Sequence, residues 1–317
     1  MKALIIGCGN FGKRWLDAIE NSVLITSIYV VDPKAISELT YHPRITFFSS
    51  AKDLSFNNHY DLIVNCVNAD QRANVMLECK EKHISCDRLV LEKVLAQSLQ
   101  ALSTFSDLNI SKDTYVNYNM RYQAVVPHIL SAKSFDVDLG SFDLASNIFH
   151  YVDLAEQLFA SSLLNINLSN LSLRWLPSRK RTGFKTVAGT IVARLKNGVN
   201  FTLKSIGSQM PKLSISTEGG IIFEINENDL SVQIKRLADE TLIDTTFKWC
   251  HFSSLSSHIL EDLLTNQSKL PRLNDVYHHT HIILEAFLIH YEQSINANRS
   301  NQDLFISQFP NLVLPIT

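Results

Sequence analysis

The chain has 317 residues, enough for two domains of ordinary size, and its 45% hydrophobic and 19% charged content is that of a globular protein. A formal net charge of −2, with Lys and Arg spread along the chain, leaves no basic face for phosphate contacts and excludes nucleic-acid binding as an expected function. No apolar run is as long as a membrane span, and the opening residues follow a strand pattern rather than a signal-peptide layout, so a cytoplasmic protein is expected.

The first element is a buried strand, Ala3-Leu4-Ile5-Ile6, followed at once by Gly7, Gly9 and Gly12 and then by Phe11, Trp15, Ala18 and Ile19 at helical spacing. The glycines spell G-x-G-x-x-G, the fingerprint of a dinucleotide site. With Lys13 they also spell most of a Walker A loop. That second reading needs Ser or Thr after the Lys, and Arg14 stands there. Three of the chain's 10 glycines fall within these six positions, which sets the loop apart from a chance cluster. A second strand, Leu24 to Val31, leads into Asp32. A carboxylate there pairs with the 2′-hydroxyl of NAD and repels the 2′-phosphate of NADP, so NAD is expected over NADP, with Lys34 as a counterweight. Gly7, Gly9, Asn10, Phe11, Gly12 and Asp32 are therefore the expected cofactor contacts.

Strand and helix patterns go on alternating, as a parallel doubly wound sheet requires. A short helix is expected near Ala35 to Leu39, a strand at Ile45 to Phe48 and an apolar strand at Asp61 to Val67. The helix from Asp70 to Lys82 turns Ala73, Val75, Met76 and Cys79 inward. Next come a strand at Arg88 to Leu91 running into Glu92-Lys93, a helix over Ser98 to Leu108, and a strand at Thr114 to Asn119. Asn68 and Glu92, at strand ends of this half, complete the cofactor set.

From about Gln123 the pattern changes to period-2 alternation: "NLSNLSLRW", "TVAGTIVARL", "NFTLKSIG", "GIIFEIN", "LSVQIK" and "TLIDTTFKW", several separated by Gly- and Asn-rich turns. Such strands make an open, mostly antiparallel sheet with one covered face. The fold class is thus α/β: a Rossmann domain over residues 1–120 and an α+β substrate and oligomerisation domain over 121–317. Two helical patterns close the chain, and the last of them is free to pack back towards the first domain.

Cys8, Cys66, Cys79, Cys86 and Cys250 form no C-x-x-C pair and read as small core residues, not metal ligands. His278, His279 and His281 diverge around a helix and do not converge on one ion, so no metal is expected. "SRKRTGFK", 178–185, reads either as a solvated loop or as a grip for a substrate phosphate or carboxylate through Arg179 and Arg181.

Three stretches, "VLEKVL" at 90–95, "NIFHYVDLAEQLF" at 147–159 and "LPRLNDVYHHTHIILEAF" at 270–287, stand in order behind the glycine loop, with "VNYNMRY" between the first two. Together they resemble the glucose-fructose oxidoreductase and inositol dehydrogenase family (Gfo/Idh/MocA). The resemblance implies NAD(P) in the first domain, a sugar or cyclitol substrate, and subunits paired through the open sheet as a homodimer or tetramer. It also implies that Lys93 and His150 act on the substrate hydroxyl, with Arg121, Tyr122 and Asn147 near it. A His titrates near working pH, as a general base should, and an ammonium stabilises the alkoxide-like charge on the reacting oxygen. The chain departs from the family at Val94, where a proline is usual, and at Ser146, where an Asp commonly supports the base. The implied activity is hydride transfer between nicotinamide and a hydroxyl or ketone of a sugar, cyclitol or nucleotide-sugar, with surface-polysaccharide biosynthesis as its context. The alternative is a non-catalytic sensor or partner protein of the same fold that binds NAD(H) and a sugar.

Overall fold

A computed structural model describes residues 1–34, 43–129, 132–140, 142–178, 182–205, 211–297 and 312–316. The expected helix at Ala35 to Leu39 lies outside them, as do Arg179 and Arg181. The chain divides into two compact units, one made of residues 1–96, 100–119 and 252–276 and the other of 97–99, 120–251 and 277–317.

In the first unit the strands are β1 (Lys2–Ile6), β2 (Ser27–Val31), β3 (Ile45–Phe48), β4 (His59–Asn65), β5 (Ser85–Leu91) and β6 (Ser111–Val116). All pair in parallel, in the order β3-β2-β1-β4-β5-β6. The order reverses beside β1, and the carboxyl ends of β1 and β4 are the switch point at which doubly wound sheets take dinucleotides. The central strands are apolar because helices cover both faces: Leu4, Ile5, Leu62, Ile63, Leu89 and Val90 are fully buried. The covering helices include α1 (Asn10–Glu20), α2 (Ala69–Glu81) and α3 (Leu99–Ser106). On α2 the buried stripe runs Ala69, Arg72, Ala73, Met76 and Cys79, while Val75 is only half-buried. A charged residue thus occupies the inward face that the apolar pattern had assigned to Val75.

The second unit has an eight-stranded sheet. Its strands are β7 (Ala132–Asp138), β8 (Leu163–Leu171), β11 (Gly189–Leu195), β12 (Asn200–Ser205), β13 (Lys212–Thr217), β14 (Ile221–Asn226), β15 (Ser231–Arg236) and β16 (Leu242–Asp244), and a separate small ladder joins β9 (Leu176–Pro177) to β10 (Lys185–Thr186). The order is β16-β15-β14-β13-β7-β12-β11-β8, antiparallel except for β7 with β12. Phe135, Val137, Phe201, Leu203, Leu213, Ile215, Phe223 and Ile225 line the buried face. Helix α4 (Leu144–Leu158) packs on it. The opposite face is polar, with Asp136, Lys204, Lys212, Ser214, Glu224 and Gln233 exposed.

The chain then returns to the first unit. Helix α5 (Ser256–Leu264) packs on α1, and the Val116 N–H donates to the carbonyl of Pro271 at 3.0 Å. Arg272 pairs with Asp113 at 2.9 Å. The last helix, α6 (Leu273–Ala297), starts in this segment and continues into the second unit. Among the described residues no helix is long and apolar enough to cross a membrane.

Candidate functional site

The glycine loop separates into two kinds of glycine. Gly7 has a φ of +86°, and a Cβ there would lie 2.8 Å from the Val67 nitrogen. At Gly12 a Cβ would lie 1.9 Å from the Gly7 carbonyl oxygen. Both are demanded by the turn and by the seating of α1 on β1. Gly9 is different: its φ of −71° suits any residue, and no atom of the described residues lies within 4 Å of its would-be Cβ. Packing among the described residues does not require this glycine. Helix α1 begins at the next residue, where its first N–H groups lack intrahelical acceptors and its dipole favours an anion. Asn10 is exposed, and the Arg14 guanidinium lies 5.0 Å from the centre of the half-buried Phe11 ring. This bare-backbone cradle fits a pyrophosphate.

Asp32 follows β2 at the same edge of the sheet. Its Oδ2 accepts the Cys8 N–H at 2.6 Å and its Oδ1 accepts the Lys34 N–H at 2.8 Å. Two backbone donors therefore aim the carboxylate, which keeps lone pairs for a ribose hydroxyl. The Cys8 thiol is pushed up to about 11 by burial and by the charge of Asp32, so it carries little thiolate at neutral pH.

Glu92 and Lys93 follow β5. Glu92 is buried, and its Oε1 accepts from Trp15 Nε1 at 3.1 Å and from Asn117 Nδ2 at 2.6 Å. Lys93 is half-buried, and the Lys93–Val94 peptide is cis. Asn68 is exposed as the residue that opens α2. Gly7, Gly9, Gly12, Asp32, Asn68, Glu92 and Lys93 thus all stand at the carboxyl end of the parallel sheet.

In the second unit α4 carries Ser146, His150 and Asp153 buried on successive turns, with Asn147 half-buried. The Asn147 amide donates to the Asp143 carbonyl at 2.8 Å. His150 is 4% exposed. Asp153 is fully buried and takes a two-pronged bond from Arg121, Nε at 2.9 Å and Nη2 at 2.6 Å. Burial pushes the Asp153 carboxyl above its ordinary range, against the opposing pull of Arg121. Arg121, expected near the substrate, has its guanidinium committed to this pair. Tyr122 beside it is buried.

One turn beyond Asp153, Glu156 accepts from His279 Nδ1 of α6 at 2.7 Å and from the Leu163 N–H at 2.6 Å. Burial alone would raise the Glu156 carboxyl, but the histidine and the backbone donor together hold it below its usual range. The three histidines of α6 part company: His278 is exposed, His279 buried and His281 half-buried. No cluster of metal-ligating side chains occurs among the described residues.

Several of these residues were not anticipated from sequence. Trp15, Arg72, Asn117, Glu156 and His279 read there as packing, helix-face or strand residues. Arg72 alone carried a signal, because it falls in register with the buried stripe of α2.

No family model and no curated protein matches the sequence. Solved structures do match its fold. UDP-N-acetylglucosamine 3-dehydrogenase GnnA from Acidithiobacillus ferrooxidans is 12% identical with a TM-score of 0.66, over 92% of this chain and 97% of that one. Levoglucosan dehydrogenase in complex with NADH and L-sorbose is 14% identical with a TM-score of 0.66, over 93% and 97%. The transcriptional regulator Gal80p from Kluyveromyces lactis is 14% identical with a TM-score of 0.67, over 92% of each chain.

Proposed function

We propose that this chain, built on a fold shared with sugar dehydrogenases and with a transcriptional regulator, is an NAD-dependent oxidoreductase. Its substrate is a sugar, cyclitol or nucleotide-sugar bearing a hydroxyl or ketone, with surface-polysaccharide biosynthesis as the setting and the cytoplasm as the place. The observation that carries this reading is the loop at Gly9: a space at the start of α1 that no atom of the described residues fills, with the Asp32 carboxylate aimed from the next strand. Those features suit a dinucleotide better than ATP, and Asp32 favours NAD over NADP.

The residues divide the work. Gly9 and the first turn of α1 would hold the pyrophosphate, Asp32 the ribose, and Asn68 and Glu92 the nicotinamide end. When bound, nicotinamide supplies the acceptor or donor of hydride. Lys93 holds and polarises the reacting oxygen, and His150 takes its proton during oxidation and returns it during reduction. Asn147, Tyr122 and Arg121 belong near the substrate, Arg121 chiefly by fixing Asp153. Arg179 and Arg181 remain candidates for a substrate anion.

The test is a titration with NADH and NADPH, followed by a panel of sugars and nucleotide-sugars read at nicotinamide absorbance. Turnover that Lys93→Ala and His150→Ala each abolish while NADH still binds is the expected result. A second reading, a binder without turnover, draws support from the regulator that shares the fold and from Ser146 at the position where a carboxylate would support the base. Tight NADH binding with no turnover across the panel would favour it.

A further inference from the structure

We infer that Arg72 is a positioning residue for Lys93, acting through the carbonyl oxygens of the turn that carries the lysine. The inference rests on the reading of Lys93 as the group that acts on the substrate oxygen. Arg72 is 2% exposed, a rare state for a guanidinium, since removing it from water is costly unless its donors are satisfied. Here both terminal nitrogens meet main-chain carbonyls. Nη1 donates to the oxygen of Val94 and, at 3.4 Å, to that of Leu95, and Nη2 donates to Val67 at 2.6 Å. Val94 and Leu95 are the two residues after Lys93, and Val67 belongs to the loop after β4. One planar fork therefore ties together the loops at the carboxyl ends of β4 and β5.

The other flank of Lys93 is held as well, because the Glu92 carboxylate is fixed by Trp15 and Asn117. With the Val94 and Leu95 carbonyls held on one side and the Glu92 side chain on the other, the backbone that carries Lys93 has little freedom. Val94 cannot restrain its own φ as a proline would, so the restraint must come from outside the turn. Arginine suits the task because its donors lie in one rigid plane and reach several acceptors at once. A lysine offers a point charge on a flexible stem.

The experiment uses the full chain as Arg72→Gln and Arg72→Lys, beside wild type and Lys93→Ala. Three quantities are read: the rate at which an amine-acylating reagent modifies Lys93, by mass spectrometry; NADH affinity, by fluorescence; and kcat and KM on the substrate found by the panel. In Arg72→Gln the modification rate of Lys93 is expected to change by at least about threefold while NADH affinity holds within about twofold. Its kcat is expected to fall about 10- to 100-fold with KM little changed, the signature of a misplaced group. Arg72→Lys should recover part of the loss. A folded Arg72→Gln whose Lys93 modification rate and kcat both match wild type overturns the inference, and if that variant does not fold, Arg72→Lys is judged by the same criteria. Undiminished turnover in Lys93→Ala would instead overturn the catalytic reading, and the modification rates, which need no substrate, would still decide whether Arg72 sets the lysine.

Discussion

Gly9 and Gly12 are three residues apart, yet they should fail in different ways. A Cβ at position 9 meets open space, so Gly9→Ala should keep its melting temperature within about 2 °C and lose NADH affinity by more than about tenfold, because the methyl occupies the approach to the pyrophosphate. A Cβ at position 12 runs into the Gly7 carbonyl, so Gly12→Ala should lose both, with a stability loss of about 1–3 kcal/mol from overpacking. Thermal melts with and without NADH separate the two, and a Gly9→Ala protein that binds NADH normally would remove the main support for the cofactor reading. Cys8, one residue away, is held as a thiol. Its thiolate becomes populated only as pH approaches about 11, so alkylation at pH 8 should run well below the rate of a free cysteine, and fast labelling there would contradict this environment. At this scale the glycine spacing and Asp32 were legible, since each is dictated by local backbone chemistry. Trp15 and Asn117 were not, because what makes them matter is a contact with Glu92 from 77 and 25 residues away.

Between elements, the link of α4 to α6 through Glu156 and His279 makes a pH prediction. A carboxyl held below its ordinary value of 4.5 contributes stability that is present above that pH and is lost as pH falls through the lower folded value. Glu156→Gln should therefore cost about 1–2 kcal/mol at pH 7 and progressively less as the medium is acidified below the ordinary carboxylate range. Urea unfolding of both proteins across that range measures it, and an equal loss at every pH would place the effect in packing instead. Element by element, the parallel half was readable because buried strands and amphipathic helices carry strong periodicity. In the other sheet β7 and β13 carry little strand signal in the sequence, although β7 lies in the middle of it. Each has only two buried hydrophobics, Phe135 and Val137 or Leu213 and Ile215, set among Ser, Lys and Asp, and so short an alternation resembles a loop. Strand β8 starts at Leu163, earlier than its alternation suggested, because most of its side chains are at least partly exposed at the sheet edge.

For the whole molecule, the exposed polar face of the eight-stranded sheet is the proposed contact between subunits. Light scattering should then give a multiple of the 35.9 kDa chain mass, decreasing with salt because Asp136, Lys204, Lys212 and Glu224 sit on that face. A monomer at every ionic strength would remove the proposal. The overall class was visible in the switch from alternating strand and helix to period-2 strands near residue 120. The assignment of 252–276 to the first unit was not, since nothing local in a helix says which sheet it will cover.

That return of the chain bears on how the protein is made. Helix α1, which presents the glycine loop, is packed against α5, and β6 is pinned by Pro271 and Arg272, all residues that leave the ribosome only after the strands of the second sheet. The first 120 residues emerge before these but cannot finish their own structure, so they must wait, partly uncovered, while the whole second sheet is translated. A fragment ending near residue 120 should accordingly be prone to aggregate and need chaperones, and fusing 252–276 to it should restore a folded, NADH-binding unit.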